Sequence, residues 1–192
     1  MNPRLAQWID LGCWVVFCLT WLVAAARVKR DKRSEPLGMR FAQLLLYAAG
    51  AILLFDRPWF LANPTMWRLS LGPVARAWLS VAFTAAGIGL AIDARIVLGR
   101  NWSGRVTVKE GHELVVRGPY RLVRHPIYTG LLLAFLGTAI LHAQAADFAG
   151  VAIFAFAYVA KLREEERFMQ AEFGEAYASY RARVKALIPF VV

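Results

Sequence analysis

The chain is 192 residues long, 59% hydrophobic and 19% charged, with a formal net charge of +10. A soluble domain this apolar would be hard to keep in water. The apolar residues also come in blocks, so the composition points to a membrane protein. The basic excess does not imply nucleic acid, because the apolar blocks divide the Lys and Arg residues into separate segments.

Five blocks, roughly 5–26, 40–61, 74–98, 127–146 and 147–162, predict five transmembrane helices in an all-α integral membrane protein. Only Arg4 precedes the first block, and the basic cluster Arg27-Val28-Lys29-Arg30 follows it. That order predicts an anchor with its N-terminus outside, not a cleaved signal peptide. Cys13 and Cys18 lie inside this block with no nearby histidine and read as packing residues. The loop 27–39 is short and charged, closed by Pro36 and Gly38. The loop 56–73 holds Pro58, Pro64, Gly72 and Pro73 with Trp59 and Trp67, and reads as interfacial with aromatic anchors.

The stretch 99–126 is the longest polar segment between spans. Arg105–Val108 and Glu113–Val116 favour β structure around Lys109-Glu110-Gly111-His112, which predicts a small hairpin or a folded-back loop. Pro126 is suited to open the fourth helix. Beyond the fifth block, Phe173, Tyr177, Tyr180 and Val184 recur at helical spacing, with Glu172, Glu175, Arg181 and Arg183 on other faces. This predicts an amphipathic C-terminal helix along the inner interface, bent at Gly174 and ended by Ile188-Pro189. His112, His125 and His142 lack metal-ligand spacing, so no metal is expected. His142 is expected on the outer surface, and Asp93 with Arg95 can form a local pair near the headgroups.

Charge placement sets the orientation. The segments 27–40, 93–126 and 161–192 hold 19 of the 23 Lys and Arg residues. With an odd number of spans these segments share one side, and the positive-inside bias puts the C-terminus in the cytoplasm. The basic face then meets anionic membrane lipid. The chain reads as one membrane domain over 1–192. Its N-terminal part, 1–98, is the first three spans. The rest, 99–192, carries the polar loop, the last two spans and the C-terminal helix.

The polar pieces form an ordered set: His112-Glu113-Leu114-Val115, Gly118-Pro119-Tyr120, Arg124-His125-Pro126-Ile127-Tyr128-Thr129-Gly130, Glu165-Glu166-Arg167-Phe168-Met169, and Phe173-Gly174-Glu175-Ala176-Tyr177-Ala178-Ser179-Tyr180, followed by Arg183-Val184 and Ile188-Pro189. The set resembles the isoprenylcysteine carboxyl methyltransferases and related membrane phospholipid methyltransferases, over about 99–190. Met169 stands where that family has Leu, a near-isosteric change. The resemblance implies S-adenosylmethionine as cofactor, bound at the cytoplasmic ends of the last two spans, and a lipid-like acceptor entering from the inner leaflet. By motif position it implies a cofactor shell of His112, Leu114, Val115, Gly118, Tyr120, His125, Tyr128 and Glu165.

The residue chemistry agrees with that expectation. Such a ligand needs a carboxylate for its ammonium, a cation for its carboxylate, aromatic faces for its sulfonium and glycine where the backbone must come close. Glu165 is the expected ammonium partner and Arg124 or His125 the carboxylate partner. Tyr128 and Tyr120 supply rings, Leu114 and Val115 line the adenine, and Gly118 and Gly130 are the close-approach glycines. A carboxylate acceptor needs a cation to hold it: Arg95 first, then Lys161 or Arg163. With Tyr128 and Glu165, these three make up the expected catalytic set. An amine acceptor would need a base, Glu164 or His125. The expected reaction is carboxyl O-methylation of an isoprenylcysteine-like substrate. The alternatives are amine N-methylation, as of a phospholipid, and a sterol-type membrane reductase using NADPH. The high alanine and arginine content is that of a GC-rich bacterial source, where the membrane would be the inner one and the acceptor a lipid or prenylated small molecule.

Overall fold

The computed structural model describes residues 2–25, 31–34, 37–55, 70–99, 102, 107–109 and 114–189. Five helices dominate: α1 Pro3–Ala25, α2 Leu37–Phe55, α3 Pro73–Leu98, α4 Pro126–His142 and α5 Ala145–Arg183. Four of them, all but α4, are long and apolar enough to cross a membrane; α4 is a 17-residue apolar helix. The predicted five-helix order is therefore present, within a few residues at most boundaries. Helix α5 continues from the fifth apolar block through the predicted amphipathic segment, with a break in helical geometry at Gly174.

Helix α3 packs along α4, α2 along α5, and α1 against α3. The α3–α4 crossing is close because Gly87 and Gly130 face each other. A side chain on either would collide with the other's carbonyl oxygen. Small residues that let backbones approach are the usual means of packing helices in lipid, where hydrophobic burial gives little drive. Inside the bundle the rings of Trp14, Phe135 and Phe154 stack in sequence, with centroids 5.0 and 4.0 Å apart.

A polar node lies in this apolar interior, unmarked by any motif in the sequence. Asp10 of α1 is buried and accepts from the hydroxyls of Thr84 in α3 (2.7 Å) and Thr138 in α4 (3.1 Å). Trp14 Nε1 donates to Thr138 at 3.0 Å. Three helices thus share one carboxylate. A buried carboxylate is tolerated when donors satisfy it. Nearby, α4 turns into α5 through Ala143 and Gln144, where Gln144 and Asp147 cap α5 reciprocally. His142 is partly buried, and its Nδ1 faces Asp147 at 3.5 Å, so it is not simply an outer-surface residue as expected.

The expected hairpin within 105–116 is corrected. Strand β2, Thr107–Lys109, pairs antiparallel with β1, Asp31–Ser34, and Leu114–Val116 forms no strand. A strand from another loop supplied the missing edge. This ribbon brings the α1–α2 and α3–α4 connections to the same end of the bundle. The C-terminal segment arrives there too, through a parallel bridge between Val123 and Lys185. Parts of the three basic segments thus meet at one end.

Candidate active site

The site is assembled where α4 begins. A short 3₁₀ turn, Gly118–Arg121, packs on the end of α3, with Gly118 at φ 58 facing Val97. The chain then passes Arg124 and His125 and enters α4 at Pro126, whose fixed φ suits the first helical position. Helix α5 presents Lys161, Glu165 and Glu166 to this N-terminus. Carboxylates there are favoured by the unpaired amides and the helix dipole.

Glu165 accepts the hydroxyl of Tyr128 at 2.5 Å, and its other oxygen lies 3.5 Å from His125 Nδ1. The imidazole and phenol rings of His125 and Tyr128 are parallel, with centroids 5.6 Å apart, and Tyr158 continues the stack at 4.7 Å from Tyr128. Lys161, buried one helical turn before Glu165, has its Nζ 5.8 Å from the Tyr128 ring centroid. The resemblance drew His125, Tyr128 and Glu165 from two separate segments and the residue chemistry added Lys161; these four lie in one cluster, which Tyr158 joins.

Glu166, quoted in the motif but given no role there, joins the cluster. Its side chain is buried and accepts from Arg124 Nε (2.8 Å) and Nη2 (2.5 Å), while His125 Nε2 lies 3.3 Å away. Arg181 Nε approaches its other oxygen at 3.6 Å. Burial opposes a charged His125, but the Glu165 and Glu166 carboxylates on its two nitrogens outweigh that and raise its pKa above the ordinary histidine value. Burial, with Glu165 nearby, pushes the Tyr120 phenol far above its usual range, so it stays neutral.

The other expected site residues divide clearly. Arg124 was expected to hold the ligand carboxylate, but Nη1 donates to the carbonyls of Val184 and Arg181 and the other two nitrogens to Glu166. All three nitrogens are engaged within the chain. Both His125 nitrogens likewise face glutamates. Gly130 sits in the α3–α4 crossing, where packing accounts for the glycine. Leu114 and Val115 are partly buried, and Val115 packs against the core. Tyr120 is buried, and its carbonyl accepts the Tyr180 hydroxyl at 2.6 Å. His112 lies outside the described residues, as do Arg27 and most of the loop 56–73.

Among the three expected cations, Arg163 is exposed, while Arg95 and Lys161 are buried. Arg95 donates to Gly99 O (2.7 Å) and Ala24 O (2.9 Å) and lies over the Trp102 ring at 4.4 Å. Its Nε is buried and makes no hydrogen bond among the described residues. It uses backbone carbonyls where a local pair with Asp93 was the alternative expectation. Glu164 pairs with Arg167 at 2.5 Å on the exposed face, as a solvated helix pair.

A tertiary device places Tyr180 and Arg181 over the site. Gly174, at φ 51 and ψ −122, breaks the course of α5. That backbone conformation is readily available only to glycine. The bend is the one predicted from sequence, and beyond it Tyr177 and Tyr180 are buried.

Comparison with known proteins identifies the pattern. Residues 75–176, more than half of the chain, match the phospholipid methyltransferase family. Protein-S-isoprenylcysteine O-methyltransferase B of Arabidopsis thaliana is 26% identical over 69% of this chain and 61% of its own length. Methanethiol S-methyltransferase of Crocosphaera subtropica is 27% identical over 95% of this chain and 74% of its own. The fold is similar to that of the eukaryotic intramembrane Ras isoprenylcysteine carboxyl methyltransferase, with a TM-score of 0.57 and 22% identity, covering 82% of this chain and 55% of that one. The chain spans 61% and 51% of the two Arabidopsis isoprenylcysteine O-methyltransferases it matches.

Proposed function

The chain belongs to the phospholipid methyltransferase family, a family of membrane methyltransferases, and on that premise we propose that it methylates an apolar acceptor from S-adenosylmethionine at the basic end of its helix bundle. The observation that carries this reading is the half-buried cluster of Glu165, Tyr128 and His125 with buried Lys161, built from α4 and α5 under the folded-back C-terminal segment. By the positive-inside bias that end faces the cytoplasm.

The residues present fit the cofactor. Glu165 offers a carboxylate for an ammonium, the parallel rings around Tyr128 offer π density for a sulfonium, and Leu114 and Val115 offer aliphatic surface. When bound, the cofactor supplies an electrophilic methyl group. The chain's task is then to bind, align and keep water out. A carboxylate acceptor is already ionised at neutral pH, with a reference pKa of about 3.5, so no base is required. It does need a cation. Arg95, whose buried Nε–H makes no hydrogen bond among the described residues, and Lys161 are the groups assigned to hold it. We therefore favour O-methylation of a lipophilic, isoprenylcysteine-like carboxylate.

A small thiol is the second reading. It is favoured because the methanethiol S-methyltransferase relative aligns with nearly the whole chain. Incubating purified protein and methyl-labelled S-adenosylmethionine with either lipid extract or methanethiol separates the two. Base-labile label in the organic phase marks an ester, and volatile label marks a thioether. Base-stable lipid label marks an amine product and overturns both readings.

A further inference from the structure

The neighbouring glutamates Glu165 and Glu166 do not share surroundings. Glu165 faces Tyr128 and Lys161, at the part of the cluster assigned above to the cofactor. Glu166 faces the C-terminal segment. Its carboxylate takes two donors from Arg124, lies within 3.6 Å of Arg181 and flanks His125. Arg124 in turn donates to the carbonyls of Val184 and Arg181.

The same segment is stitched down by the backbone. Arg124 N–H donates to Lys185 O at 2.8 Å and His125 N–H to Ala186 O at 3.0 Å. Thr129 Oγ1 donates to Leu187 O at 2.7 Å. Leu162, Ala186 and Leu187 form a small buried cluster against Tyr128. The tail thus forms one wall of the site, and Glu166 is the charge that turns Arg124 toward it.

We infer that Glu166 is a positioning residue, which latches residues 181–187 over the start of α4 through Arg124 and holds the His125 ring against Glu165. Glu165 alone is then left to meet a ligand ammonium. This assignment rests on the proposed methyltransferase reading for its effect on ligand binding, but the latch itself is a property of the chain. A buried pair left with one partner loses both its hydrogen bonds and its neutralisation. The bend at Gly174 brings the tail back but gives no reason for it to stay, whereas the Arg124–Glu166 pair does.

The test uses the full-length protein in detergent, as wild type and as Glu165→Gln, Glu166→Gln, Glu166→Asp and Arg124→Lys. Two readouts are taken: hydrogen exchange of the peptide holding Arg124 and His125, whose amides bond the tail, and affinity for S-adenosylhomocysteine. Glu166→Gln and Arg124→Lys are expected to speed exchange there and to weaken binding by roughly 10- to 100-fold. Glu166→Asp should restore part of both. Glu165→Gln should lose binding with tail exchange unchanged. If Glu166→Gln loses binding while exchange stays at the wild-type rate, Glu166 is a ligand contact and the inference is overturned. If Glu166→Gln does not fold, Arg124→Lys and Glu166→Asp carry the same comparison. If the wild type binds no S-adenosylhomocysteine but the exchange pattern is as expected, the latch stands and the methyltransferase reading falls.

Discussion

Glu164, Glu165 and Glu166 are chemically identical in the sequence and have three different environments in the fold. Glu164 pairs with exposed Arg167, Glu165 meets the Tyr128 hydroxyl, and Glu166 is held by Arg124. Successive residues on a helix point about 100° apart, so the rotation of α5 about its axis decides which carboxylates turn inward. Motif order singled out Glu165. Nothing within the triplet marks Glu166, because its partners lie 42 positions away in sequence or across the bend. The same holds for Arg124, whose sequence position suggested a ligand contact before the tail was seen to consume its donors. Replacing Tyr128 by Phe removes the hydroxyl donated to Glu165. The expected outcome is about tenfold weaker S-adenosylhomocysteine binding by titration calorimetry, with the fold retained. His125 gives a pH signature. Its pKa is raised in the folded state, so its stabilising contribution is complete below the unfolded value of about 6.5 and is lost as pH rises through the folded value. Melting temperature should therefore fall with rising pH over that window, and His125→Gln should flatten the slope.

Among the elements, the helices were legible because apolar runs separated by charged or Gly- and Pro-rich loops leave few alternatives in a membrane. Pro126 marked the start of α4, and Gly174 marked the bend in α5. The β1–β2 ribbon was not legible, since its two short strands come from loops more than 70 residues apart and carry no local pairing signal. The α3–α4 crossing makes a sharp expectation. Gly130→Ala places a methyl against the Gly87 carbonyl and should cost about 1–3 kcal/mol, read by thermal unfolding in detergent. Gly174→Ala forces a side chain into a backbone conformation it resists and should also cost about 1–3 kcal/mol, with loosening confined to the C-terminal segment. In the bundle interior, Asp10→Leu leaves two hydroxyls without their acceptor. The expected loss is about 1–3 kcal/mol, and Asp10→Asn, which keeps a carbonyl oxygen, should lose less.

At the scale of the whole molecule, one end of the bundle gathers charge, and away from it the described residues bury the carboxylates of Asp10 and Asp147. Charge counting along the sequence anticipated that asymmetry. The structure adds that the α3–α4 loop and the segment after α5 are in contact there, through the Arg124 and His125 amides on the Lys185 and Ala186 carbonyls. A site of this kind suits a ligand that is charged at one end and an acceptor that arrives through lipid. The most direct measurement is equilibrium binding of S-adenosylhomocysteine to the detergent-purified chain, compared between wild type, Glu165→Gln and the surface control Glu164→Gln. Saturable binding that survives Glu164→Gln and disappears in Glu165→Gln is the expected result. No binding to the wild type, or equal binding to all three, would contradict the assignment of this cluster as a methyl-transfer site.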